Sequence, residues 1–122
     1  MSSYAVQQTA TPGVLVIEGS FTTAGTSAPT TLRGGGYTLS APSTGAYTLT
    51  LADHLRGTRV VSMIAQTEED SGAAAHVAFF RSGSATTGLF VIQTQSGAGT
   101  AANLTGPRVN FRISLSTLDV EA

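Results

Sequence analysis

Three contiguous carboxylates, Glu68, Glu69 and Asp70, followed by Ser71 and Gly72, form the densest run of oxygen ligands in the chain. Calcium takes several oxygens, which a binding loop normally spaces at alternate positions around a bend-forming glycine. Here the carboxylates are consecutive, so neighbouring side chains splay apart, and the run is expected to be a solvated acidic turn. The two histidines are His54, which follows Asp53, and His76. With a serine they could make a Ser-His-Asp set, and with Asp53 alone a two-histidine, one-carboxylate metal site. Nothing in the spacing favours either arrangement. Serine is abundant, so matches arise by chance, and no Gly-x-Ser-x-Gly elbow is present. His76 opens an apolar strand and reads as a hydrogen-bonded edge residue. The glycine-rich stretches 34–36 and 97–100 lack the Lys-Ser/Thr ending of a phosphate loop and read as turns. Asn103-Leu104-Thr105 matches the N-glycosylation pattern, but 1–13 lacks the basic and apolar regions of a signal peptide, so the match is taken as chance. Tyr37 and Tyr47 could stack on a sugar. Both fall in phase with Leu39 and Leu49, which argues for core packing. No catalytic, cofactor-binding or metal-binding residue is therefore assigned, and the chain is not expected to be an enzyme.

The elements that would position these groups are short and β-like. In 34–51, GGGYTLSAPSTGAYTLTL, apolar residues alternate with polar ones on either side of a Pro-Ser-Thr-Gly turn. Period-2 alternation marks a strand with one buried face, and Pro42 and Gly45 supply the turn chemistry. The segment VLVIEGSF over 14–21 begins with four aliphatics and should be buried on both faces there. Strands are further expected over 58–66, where Val60-Val61 and Met63-Ile64 imply a bulge, and over 75–81 and 86–94. The last strand, over 108–115, should bury Val109, Phe111, Ile113 and Leu115 and turn Asn110, Arg112 and Ser114 to the other face. Residues 22–33 read as a loop. Residues 52–57 read as one helical turn, capped by Asp53 and ended by Gly57, that bridges two strands. Seven to eight regularly spaced strands without a long amphipathic helix predict an all-β fold, an antiparallel, jelly-roll-like β-sandwich. Residues 1–12 are small and polar and read as an extended arm, loose or laid on a neighbour, and 13–122 as a single sandwich domain.

Composition narrows the function classes. The chain of 122 residues has 32 Ser and Thr, 14 Gly, no Cys and no Lys. Charged residues are 11% and the net charge is -1, so the clustered basic face that nucleic acid requires is not expected. No apolar run is long enough for a membrane-spanning helix. Weakly charged, Ser/Thr-rich surfaces put little electrostatic penalty on packing against copies or in a large assembly.

Three segments carry a resemblance: GAYTLTL over 45–51, RVVSMIAQ over 59–66 and VNFRISL over 109–115. Together they resemble small β-rich virion proteins of tailed bacteriophages, of the head decoration or cement type. That resemblance implies a structural protein that binds the outer capsid surface, with the major capsid protein as partner, often as a homotrimer. It implies a place on the virion exterior after synthesis in the host cytoplasm, with no signal peptide. The alternative is a tail-fibre or spike module for host recognition that binds carbohydrate. No functional residue is carried over from the resemblance, and no cofactor is implied.

Overall fold

The computed structural model describes residues 6–8, 13–68, 76–96 and 99–117. Its strands are β1 (Val6–Gln8), β2 (Val14–Ala24), β3 (Thr30–Arg33), β4 (Tyr37–Leu39), β5 (Ala46–Leu51), β6 (Arg59–Glu68), β7 (Val77–Ser84), β8 (Leu89–Gln95) and β9 (Thr105–Ser116). They form two antiparallel sheets. In the first, β2 lies beside β9 and β9 beside β6. The other edge of β2 is covered twice, by β1 along Leu15–Ile17 and by β3 along Ser20–Thr22. The second sheet has the order β4-β5-β8-β7. The first long strand thus neighbours the last, and β5 neighbours β8, with β6 and β7 nested between them in sequence. The fold is the expected all-β, jelly-roll-like β-sandwich.

Alternation decides which side chains meet between the sheets. Ile17 and Phe21 of β2, Tyr47, Leu49 and Leu51 of β5, Phe90 and Ile92 of β8, and Val109, Ile113 and Leu115 of β9 are all essentially inaccessible. At the centre Phe111 meets Tyr37 edge-on at a ring separation of 5.1 Å and Phe80 at 6.4 Å. Gly19, paired with Phe111, lies under these rings, where a Cβ would stand 2.4 Å from the Tyr37 hydroxyl and 2.7 Å from the Phe111 ring. A residue without a side chain is what allows that approach.

Several local expectations need correction. Residues 22–33 are not one loop: β2 runs on to Ala24, and 30–33 form β3. β9 begins at Thr105, three residues before the expected start at 108. The helical turn is a 3-10 turn, Asp53–Leu55, whose N-cap is Ala52, with no side-chain cap. Asp53 sits inside that turn, and the C-cap is Arg56 instead of Gly57. It does bridge β5 of one sheet and β6 of the other. Of the expected arm, Val6–Gln8 pairs with the chain's own β2.

Two features follow the sequence closely. β6 carries a bulge between Val60 and Ser62. The β4–β5 hairpin pairs Tyr37 with Leu51 and Leu39 with Leu49. It turns through Thr44 and Gly45, at φ 49° and 79°, between the mutually bonded Ser43 and Ala46. Positive φ at both central residues is the primed turn that matches strand twist.

Candidate functional site

The residues singled out for chemistry are dispersed. Glu68 ends β6, where its carboxylate accepts hydrogen bonds from Asn110 Nδ2 at 3.0 Å and Arg108 Nη1 at 3.4 Å. Glu69 and Asp70 lie outside the described residues, and the expectation of an acidic turn lies there with them. Asp53 is in the 3-10 turn, its carboxylate 3.1 Å from Arg56 Nη2. His54 follows it there. His76 immediately precedes β7, and its carbonyl accepts from Thr67 Oγ1 at 2.7 Å. Among the described residues no three His, Asp or Glu are grouped to hold a metal ion. A cleft of about 430 Å³ opens between β4, β5 and the 3-10 turn, lined by Tyr37, Thr38, Thr50, Asp53 and Arg56. Its charged pair is already mutually neutralised.

The tyrosines do not form an exposed pair. Tyr47 is fully buried and 5.1 Å from the Phe21 ring. Its hydroxyl has no hydrogen-bond partner, and burial pushes its pKa above the usual value. Tyr37 is half-buried against Phe111.

Sequence reading missed a buried polar cluster at the opposite end of the hairpin. Thr94, at zero exposure, donates from Oγ1 to the carbonyls of Gly45 and Ala102. Gln93 Nε2 donates to Thr44 O at 3.0 Å, and Gly45 N donates to Asn103 Oδ1. Asn103 thus serves the hairpin turn, a role that its glycosylation-like context gives no hint of. Every one of these groups is satisfied within the chain, so the cluster is structural.

What remains for recognition is surface. Across the outer face of the first sheet, register sets Glu18, Arg112 and Ile64 in one row and Ser20, Asn110 and Gln66 in the next. The charges are paired internally: Arg112 Nε lies 3.7 Å from Glu18 Oε2, and Arg108 Nη1 3.4 Å from Glu68. A shallow depression of about 240 Å³ lies over Glu18, Ile64, Gln66 and Arg112. On the second sheet the outward positions of β4 and β5 are Thr38, Thr48 and Thr50. Five large apolar side chains are exposed among the described residues: Val61, Ile64, Val77, Phe79 and Leu89. Four of them lie on β6 and β7, the edge strands at one side of the sandwich. Gly83 of β7 lies beside Met63 of β6, so these edges run next to each other.

Compared with protein-family models, with curated proteins and with solved structures, the chain finds no match.

Proposed function

We propose that the protein is a structural virion component, a decoration or cement protein of a phage-type capsid that binds the outer shell and acts by binding alone. The observation that supports this most is the outer face of the first sheet. Its carboxylates and guanidiniums neutralise one another, so it offers broad hydrogen-bonding area with exposed Ile64 and little net field. Such a face suits extended contact with another protein better than capture of a charged small ligand. A protein that binds the assembled shell and not the loose subunit stabilises the shell by mass action. The carbohydrate-binding alternative needs exposed aromatic rings, and the placement of Tyr37 and Tyr47 gives it no support.

Co-sedimentation with capsids tests the reading. The chain is expected to bind assembled shells saturably, to leave unassembled major capsid protein alone and to raise the temperature at which shells rupture. Equal binding to subunits and shells, or binding with no change in rupture temperature, would overturn it.

A further inference from the structure

The four strands of the second sheet hold a single charged residue, Arg81 of β7. Arg56, Arg108 and Arg112 each face a carboxylate of this chain. Arg81 faces an amide instead: its Nη1 donates to Gln93 Oε1 at 3.2 Å. β7 shifts register between Phe80 and Ser82, which makes Arg81 the bulge residue, and a bulge re-aims the side chain it carries. We propose that the outer face of the second sheet, around Arg81, binds a segment of another protein that sets a carboxylate between aliphatic side chains.

The guanidinium is oriented before any partner arrives. Gln93 is 5% exposed, and its Nε2 donates to Thr44 O and Thr94 O, both at 3.0 Å. Its amide is thereby fixed with Oε1 turned to Arg81. A guanidinium carries five donors and no acceptor, and the Gln93 bond uses one of them. A carboxylate matches the others, because it accepts two parallel bonds from an arginine. Holding the side chain in place beforehand lowers the ordering cost of binding.

Register sets apolar groups around that charge. On the outer face Phe79 pairs with Gln93, Ser82 with Val91 and Ser84 with Leu89. Val77, Phe79 and Leu89 supply three of the five large apolar side chains exposed among the described residues. An arginine beside an aromatic ring is the composition of interface centres. An extended segment turns every second side chain, about 6–7 Å apart, to the face it lies on. One with an acid flanked in this way by aliphatics would meet Arg81 with the acid and cover the apolar groups with its neighbours. Charge selects this occupant. A second copy of the same face brings another Arg81 and no carboxylate, so the face does not complement itself. The two clefts described above lie elsewhere, and a flat sheet face suits an extended segment better than an enclosed small acid. The capsid reading rests on the outer face of the first sheet, so the two stand apart.

The probe is a synthetic peptide, acetyl-Thr-Leu-Thr-Glu-Thr-Leu-Thr-amide, titrated into the full chain while backbone amide shifts are followed by nuclear magnetic resonance. Saturable shifts are expected at amides of β7 and β8, those of Phe79, Arg81 and Gln93 among them. Replacing the peptide's Glu by Gln should weaken binding about tenfold or more, because the charge-assisted pair is lost. Arg81→Gln should weaken binding of the Glu peptide by a similar factor and make the two peptides equal, as a direct pair requires in a double-mutant cycle. Phe79→Ser, which leaves the guanidinium in place, should weaken both peptides alike. Absence of shifts on this face, equal affinity of the two peptides for the unaltered chain, or a preference for Glu that survives Arg81→Gln would overturn the proposal. So would galacturonate alone moving the same amides at the same concentrations, an outcome that makes the face a site for acidic sugars.

Discussion

Phe111 and Tyr47 show how much a single side chain carries here. Phe111 lies within 6.4 Å of three rings, those of Phe21, Tyr37 and Phe80. Truncating it leaves a hole that rigid sheets on either side cannot close. Phe111→Ala is therefore expected to cost about 3–5 kcal/mol in a denaturant titration. Tyr47 works the other way. Its ring fills the core, but its hydroxyl is buried without a partner, which costs the free energy of desolvating that group. Tyr47→Phe should stabilise the fold by about 1 kcal/mol in the same titration. The ionisation follows from the same burial. Burial raises the Tyr47 pKa in the folded state, while the phenol of the unfolded chain ionises near its ordinary value of about 10. The unfolded state therefore loses its proton first as pH rises. The resulting contribution to stability is complete below about pH 10 and is lost progressively above it. Melting curves measured through the alkaline range should show a smaller fall for Tyr47→Phe than for the unaltered chain.

At the scale of elements, the hairpin turn depends on more than its local chemistry. Gly45 has φ 79°, and a Cβ there would lie 2.5 Å from Ala102 O and 2.6 Å from Thr94 O. Ala102 O accepts from Thr94 Oγ1, and Thr94 O from Ala102 N and Gln93 Nε2, so neither can yield. Gly99 has nearly the same backbone, φ 82°, with nothing within 4 Å of the added carbon. Gly99→Ala should cost only the left-handed backbone penalty of about 1–2 kcal/mol. Gly45→Ala should cost roughly 3 kcal/mol or more, because a backbone clash is added to it. Thermal melts of the two variants side by side separate the contributions. The same scale explains why β2 is buried on both faces at its start: Val16 and Ile17 are adjacent and both inaccessible, as its aliphatic run predicts.

For the whole molecule, edges govern behaviour. β1 covers one half of the β2 edge and β3 the other, whereas at the far side of the sandwich the edges of β6 and β7 run beside each other. Deleting residues 2–12 removes β1 while leaving the β2–β9–β6 ladder and the core it closes. The truncated chain is expected to fold, with a circular dichroism spectrum like that of the full chain. Under the capsid-binding function proposed above, the truncated chain should bind capsids less well or protect them less from heat. Unchanged binding would remove the arm from the recognition surface. Chelator treatment is expected to leave Tm unchanged, and a clear drop would make the acidic run at 68–70 a metal site after all.

Strand identity and core membership were legible because they depend on local periodicity. Alternation alone places Val109, Phe111, Ile113 and Leu115 on one face of β9 and Tyr47, Leu49 and Leu51 on one face of β5, and all of them are buried. The bulge in β6 was readable for the same reason, since two apolar pairs in one strand cannot share a face. Polar burial was not readable. Ser114 and Ser116 alternate away from the core, yet both are buried. Gln93, Thr94 and Asn103 find their partners up to 58 residues away. A hydroxyl or amide is buried only where the fold brings a partner to it, and no local pattern records that meeting. The candidate surface was hidden in the same way. The residues of β6 read as a strand with apolar groups on both faces, which fits an interior strand as well as an edge. Only the pairing of β6 with β9 turns Ile64 to the open outer face, because sheet order is decided by long-range pairing.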